Sequence, residues 1–343
     1  MTSPVRTPLC DLLGIEHPVM LAGMASISGA DMAAAVSNAG GIGSFGGVSM
    51  TPQALRNEIR MTKEQLLPGK PFGVDLLLPQ VGGGARKTNK DYTGGTLGEL
   101  IDIILEEKVK LFISAVGVPD KWVVDRLHEG NVVVANMVGA PGHVEKALNV
   151  GVDLIIAQGT EAGGHTGDIA TLPLIPQCVD LVKGRTNHFG SPVLVVAAGG
   201  IYDGRGLAAS LCLGAAGVWV GTRFIACEEA NSSTVHKKRV LAVRSVDTTR
   251  TVGFTGRPCR VMRTDYVKQL EANSEEVNRK VASGVIPYME EIEAGRASMA
   301  EFFPALMGQC AGAITEIKTA KEIVDEMVTN GGKILRGGAV SKL

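Results

Sequence analysis

Aromatic residues make up only 4% of the 343-residue chain. A surface that stacks on bases needs Phe, Tyr or Trp in number, so the composition argues against nucleic-acid binding. Net charge is equally lacking: 34 Lys and Arg stand against 35 Asp and Glu, leaving −1 at pH 7. No field of one sign is available to hold nucleic acid or an anionic membrane. No apolar run reaches the length of a membrane-crossing helix, and the stretch from Met1 to Gly14 has no signal-peptide pattern. Cys10, Cys178, Cys212, Cys227, Cys259 and Cys310 never fall at CxxC spacing. A zinc site or dithiol redox motif is therefore not expected, no His, Cys and carboxylate spacing fits another metal, and the thiols read as buried and reduced.

Glycine is plentiful, at 44 residues, and hydrophobic residues reach 45%. That composition fills a sizeable core and excludes global disorder. The length suits one large barrel or two ordinary domains. Short apolar runs recur at 18–22, 41–45, 72–78, 111–115, 132–137, 153–158, 193–198 and 217–220. They are continuous rather than alternating, as strands buried on both faces are. Helix-like segments lie between them at 30–39, 52–66, 97–108, 120–129, 143–149 and 205–213. Three stretches, 33–46, 146–159 and 209–222, repeat one unit of helix, glycine, strand, glycine, with Gly40, Gly151 and Gly214 at the helix ends. This rhythm predicts right-handed βαβ units closed into an α/β (β/α)₈ TIM barrel over residues 1–222. A doubly wound sheet with a second domain is the competing fold.

The rhythm stops after Thr222. Residues 223–309 read as a mostly helical substrate or lid segment over the barrel mouth, with helices at 265–282 and 298–307. An exposed apolar patch there would pair subunits into a homo-oligomer. Residues 310–343 read as a C-terminal helix closing the barrel, followed by a tail. In 318–329, Ile323, Val324 and Met327 share one helical face, and Gly331, Gly332, Gly337 and Gly338 suggest an exposed end. The last residues, Ser341-Lys342-Leu343, match the address read by the peroxisomal import receptor, so a eukaryotic source implies a peroxisomal protein, and any other source a cytoplasmic one.

In such barrels the chemistry sits at the C-terminal ends of the strands. Those ends carry Gly23-Met24, Gly46-Gly47, Asp75, Val116-Gly117, Gln158, Gly199-Gly200 and Gly221-Thr222. Glycine at so many ends suits a bulky flat ligand lying across the mouth. Barrel phosphate sites use the loops after the seventh and eighth strands, where bare N–H groups face the anion. Gly199, Gly200, Gly221 and Thr222 occupy those places. His165 sits in a glycine-rich loop after the sixth strand and could donate to an anion or accept a proton; holding the loop by hydrogen bonds is its structural alternative. Glu161 and Asp168 flank it and would orient it, or Asp168 would cap the next helix. His17, His128, His143, His188 and His236 read as structural or solvated. No GxGxxG dinucleotide fingerprint is present.

The motifs Pro18-Val19-Met20-Leu21-Ala22-Gly23-Met24, Asn38-Ala39-Gly40-Gly41-Ile42-Gly43, Pro71-Phe72-Gly73-Val74-Asp75-Leu76, Gln158-Gly159-Thr160-Glu161-Ala162-Gly163-Gly164-His165, Ala198-Gly199-Gly200-Ile201 and Gly217-Val218-Trp219-Val220-Gly221-Thr222-Arg223-Phe224 resemble those of the nitronate monooxygenases, once called 2-nitropropane dioxygenases. The resemblance covers roughly residues 8–230, and the rest more loosely. It implies FMN as cofactor, with Gly23 and Met24 against the ring system and Gln158 beside it. Gly164 would pack close to it, and Gly199, Gly200, Gly221 and Thr222 would hold the phosphate. It places His165 over the flavin as the catalytic residue. Asp75 stands where the better-known bacterial members commonly carry Asn, so its carboxyl would alter hydrogen bonding to the flavin or repel an anionic substrate. The implied reaction is oxidation of an alkyl nitronate, such as propionate 3-nitronate, by O₂ to a carbonyl compound and nitrite. FMN-dependent NAD(P)H:quinone reductases and enoyl-thioester reductases share the superfamily and are the alternative; a non-catalytic flavin-binding protein is a further one.

Overall fold

The structure, a computed structural model, describes residues 5–296 and 304–337. Its strands up to residue 220 are β1 (Val19–Leu21), β2 (Gly43–Gly46), β3 (Phe72–Leu77), β4 (Leu111–Ala115), β5 (Val133–Val138), β6 (Leu154–Gln158), β7 (Gly164–His165), β8 (Leu194–Ala198) and β9 (Gly217–Val220). All but β7 form one parallel eight-stranded sheet in the order β1-β9-β8-β6-β5-β4-β3-β2. A parallel bridge between Met20 and Ile42 joins its two edges and closes the barrel. The competing doubly wound sheet is thus set aside.

Side chains alternate across each strand, so one set fills the barrel and the other meets the helices. Met20, Leu111, Ile113, Val133, Ala135, Leu154, Ile156, Val196 and Trp219 share the interior cluster. Val19, Leu21, Phe45, Val74, Phe112, Val134, Ile155, Val195 and Val218 belong to the outer one. Both sets are apolar, which is why the strands read as continuous hydrophobic runs. Asp75, paired in register with Ile113, falls on the inward face. The short helix α1 (Pro8–Leu13), which the sequence did not announce, plugs the barrel floor with Leu9, Cys10 and Leu13.

The barrel helices are α2 (Ala30–Asn38), α3 (Pro52–Gln65), α4 (Leu97–Glu106), α5 (Lys121–Glu129), α6 (Val144–Asn149), α7 (Thr171–Val182) and α8 (Gly204–Cys212). The three repeated units hold geometrically: Gly40, Gly151 and Gly214 have φ of 93°, 94° and 92°. That left-handed turn, easy only for glycine, redirects each helix into its strand.

Beyond β9 come α9 (Thr222–Ile225), α10 (Thr234–Ala242), α11 (Asp265–Ala272), α12 (Ser274–Ser283), α13 (Pro287–Glu293) and α14 (Ala320–Leu335). The single helix expected at 265–282 breaks at Asn273. The segment is also less helical than expected. β10 (Thr248–Thr251) and β11 (Cys259–Met262) form an antiparallel hairpin, and β11 pairs with β7. The helix expected at 298–307 lies partly outside the described residues, and at its described end Leu306 bridges Val261 as extended chain. α14 packs on α8 and α2. It is capped by a reciprocal pair of Thr319 and Glu322. It also runs through Gly331 and Gly332, which are buried rather than in an exposed tail. A Cβ on Gly204 would lie 2.5 Å from the Gly331 nitrogen, so the two glycines let α8 and α14 touch backbone to backbone. Ser341-Lys342-Leu343 lie outside the described residues. No helix among those described is long and apolar enough to cross a membrane.

Candidate active site

One cavity of about 2080 Å³ opens at the C-terminal ends of the strands. The expected catalytic residue and all the expected cofactor-binding residues line it: Gly23, Met24, Asp75, Gln158, Gly164, His165, Gly199, Gly200, Gly221 and Thr222. They divide into three groups.

The first group sits at the ends of β8 and β9. Gly199 and Gly200 have φ of 97° and 74°, which turns the chain sharply. Among the described residues, the main-chain N–H groups of Gly199, Gly200, Gly221 and Thr222 donate to no protein acceptor. Thr222 is buried and the three glycines are half-buried; a cradle of unused amides suits an anion, the phosphate of a cofactor included. The Thr222 hydroxyl accepts from Gly308 N–H at 2.9 Å. The Met24 sulfur lies 3.6 Å from where a Gly221 Cβ would stand, so Met24 walls this end.

The second group is the inward face of β1 and β3. Asp75 is 2% exposed, and its Oδ1 is buried without a hydrogen-bond partner. A Cβ on Gly23 would lie 2.4 Å from Asp75 Oδ2, so glycine at 23 is required by this carboxyl as well as by any ligand. Burial pushes the Asp75 pKa well above the usual carboxylate range. Burial therefore favours the protonated form, which would not repel an anionic substrate as an ionised Asp75 would.

The third group surrounds His165. The loop from β6 to α7 is held by the appended unit as well as by the barrel. β7 pairs with β11, with His165 opposite Cys259, and Thr166 N–H donates to Pro258 O at 3.2 Å. Arg260, buried, donates to Thr160 O at 2.9 Å. Arg250 pairs with Asp168 at 2.6 Å. From the barrel side, Gln158 Nε2 donates to His165 O at 3.0 Å. The His165 ring meets Thr255 Oγ1 through Nε2 at 2.9 Å. Burial, helped by the charge of Arg257, pushes the His165 pKa down to about 4. The ring is therefore neutral near pH 7. So weak a base abstracts a carbon-bound proton poorly, while the neutral ring still has one N–H to donate.

Asp168 does not cap α7; its side chain is largely exposed and bound to Arg250. The cap falls to Glu161, whose carboxylate accepts from Thr171 N–H and Oγ1–H, because the turn at Gly163 and Gly164 folds Glu161 back onto that helix start. Two histidines set aside as remote, His143 and His236, line the cavity, since the loop after β5 and helix α10 both reach the mouth. Asn136 was missed although its signal was visible: a carboxamide in the apolar run of β5. Its Nδ2 donates to Ser114 O and Gly117 O at 3.0 and 2.6 Å, and its Oδ1 is buried without a partner. Thr255, Arg257 and Arg86 carried no sequence signal, being loop residues brought in by tertiary contacts. Arg257 donates to Asn89 Oδ1 at 3.1 Å. No carboxylate pairs with Arg257 or Arg86 among the described residues.

Solved structures share this architecture. Nitroalkane oxidase from Streptomyces ansochromogenes superposes with a TM-score of 0.79 at 26% identity, covering 96% of this chain and 99% of that one. FabK from Thermotoga maritima superposes at 0.77 and 31% identity, over 98% of this chain and 99% of that one. In sequence, the (3aS,4S,5R,7aS)-5-hydroxy-7a-methyl-1-oxo-octahydro-1H-indene-4-carboxyl-CoA dehydrogenase of Mycobacterium tuberculosis is 39% identical over 270 residues, which is 79% of this chain and 70% of the relative. Fold, site and relatives together define a flavin-dependent oxidoreductase built on a closed β/α barrel. The sequence model of the nitronate monooxygenase family matches residues 6–330. The chain belongs to that family.

Proposed function

We propose that the protein binds FMN and oxidises an anionic alkyl nitronate with O₂, giving a carbonyl compound and nitrite. The observation that carries this reading is the electrostatics beside His165. Among the described residues Arg257 lines the cavity without a carboxylate partner, the His165 ring is neutral near pH 7, and burial favours the protonated form of Asp75. An anion entering beside His165 meets the positive charge of Arg257, which no carboxylate neutralises among the described residues. FMN, when bound, supplies the redox chemistry. Gly199, Gly200, Gly221 and Thr222 would hold its phosphate, and Gly23, Met24, Gln158 and Gly164 would border its ring. A Cβ on Gly164 would meet nothing within 4 Å, so glycine there leaves room at the cavity wall. His165 would hold the nitronate through an N–H bond, its ring fixed by Thr255. Because His165 is too weak a base to ionise a nitroalkane well, a preformed nitronate is the expected substrate.

A second reading, oxidoreduction of an acyl thioester, is favoured by size. A cavity of about 2080 Å³ exceeds the few hundred to about 1,000 Å³ that one drug-sized ligand fills. The relative from Mycobacterium tuberculosis is named for a CoA-bearing substrate. The two readings separate in one assay of the FMN-loaded protein. Nitrite release with oxygen uptake from propionate 3-nitronate, without NADH oxidation, supports nitronate oxidation. NADH oxidation driven by an enoyl thioester or a quinone, with no nitrite from nitronates, supports the alternative.

A further inference from the structure

We propose that Asp75 serves the flavin as a carboxylic acid: it keeps its proton and donates a hydrogen bond through it to an acceptor atom of the cofactor. The inference rests on the flavin reading above. Its ground is an unmet need. Asp75 Oδ1 is buried and finds no hydrogen-bond partner, and no ion pair includes Asp75 among the described residues. An ionised carboxylate left so is strongly unfavourable, whereas the acid form requires only one acceptor for its proton.

The protein offers that proton nothing. Asp75 is flanked in the sheet by Gly46 on β2 and Ile113 on β4, and Gly23 from the end of β1 presses on the carboxyl. None of these titrates or accepts through a side chain. Charged groups elsewhere on the cavity wall, at 86, 91, 120, 146, 168, 239, 250 and 257, do not act on it, and burial alone keeps the proton in place. The open direction is the cavity, which Asp75 itself lines. A carboxamide in this place would donate through its NH₂ at every pH. A carboxyl donates only while protonated, so Asp75 ties flavin binding to pH.

The test compares wild type with Asp75→Asn. In the apoprotein, an unfolded Asp titrates near about 3.9 and the native one higher. Between those values the native state holds a proton that the unfolded state lacks, so stability falls as pH rises. The unfolding constant of wild type relative to Asp75→Asn should climb by up to about tenfold per pH unit through that window. Parallel curves would overturn the proposal. In FMN titrations, the wild-type Kd should rise with pH by up to about tenfold per unit once the apoprotein carboxyl ionises, while the Asp75→Asn Kd stays level. Infrared difference spectra of wild type should show a protonated carboxyl band that shifts when FMN binds. A band unmoved by FMN contradicts the donor role. If the apoprotein curves diverge as expected but FMN does not bind at all, the cofactor reading fails and the donor role with it, while the buried acid stands.

Discussion

The barrel and the unit appended to it solve different problems. On the proposed function, the barrel supplies a bed for the cofactor out of bare backbone. The N–H groups of Gly200 and Gly221 are unused by the protein, and side chains are kept away by glycine. The appended unit supplies side chains. Thr255 fixes the His165 ring, Arg260 and Arg250 hold the loop that carries it, and Arg257 brings charge. His165 follows a barrel strand in sequence, yet it belongs to the second sheet in space. On the proposed function, flavin binding and substrate recognition fall to separable parts of the molecule.

The largest effect that tests this division is on the barrel side. Gly200→Val places a β-branched residue at φ 74° and over a bare amide. FMN affinity should drop at least about 100-fold, the equivalent of about 2.8 kcal/mol, read by fluorescence titration. A variant that purifies fully yellow contradicts the phosphate assignment. Next comes His165→Asn, which should cut nitronate turnover roughly 100-fold, within the range that a positioned proton-bearing side chain contributes, and leave the FMN Kd unchanged. Unchanged turnover removes the catalytic role. Arg257→Gln should raise KM for an anionic nitronate about tenfold with kcat little altered, as for a lost charged hydrogen bond, and high salt should blunt the difference. The mildest substitution is Gly214→Ala, at φ 92° with Val179 3.0 Å from the added Cβ. It should cost about 1–2 kcal/mol of stability in a denaturant melt and leave both KM and FMN affinity alone.

A pH effect sharpens the same contrast. The His165 pKa lies near 4 in the native protein and near about 6.5 when unfolded. Below the unfolded value the unfolded state takes up a proton that the native ring refuses. This stabilising contribution is full above about pH 6.5 and is lost as pH falls towards 4. Acid melts of His165→Asn should be flatter than wild type across that window, and wild-type kcat/KM should show no inflection from this group between pH 6 and 7.

The same division explains what the sequence disclosed. Parallel strands covered on both faces must be apolar throughout, so runs such as Leu-Ile-Ile-Ala in β6 announce themselves, and Gly40, Gly151 and Gly214 mark the turns. The hairpin of β10 and β11 hides: Thr-Thr-Arg-Thr and Cys-Arg-Val-Met alternate no clear face, because Arg260 is buried as a clamp rather than exposed. Its partner β7 is two residues long and far away in the chain, so no local pattern encodes the pairing. His165 could be read from its loop, whereas Thr255, which holds its ring, and Arg257, whose charge adds to the burial that lowers its pKa, could not. Glu161 was seen as a neighbour of His165, but its cap on α7 depends on the glycine turn between them.

The most direct test is anaerobic. FMN-loaded protein is titrated with propionate 3-nitronate in one cuvette and with NADH in another, and the visible spectrum is followed. The account predicts that the nitronate reduces the flavin and that NADH leaves it oxidised. Bleaching by NADH with no response to the nitronate would contradict it.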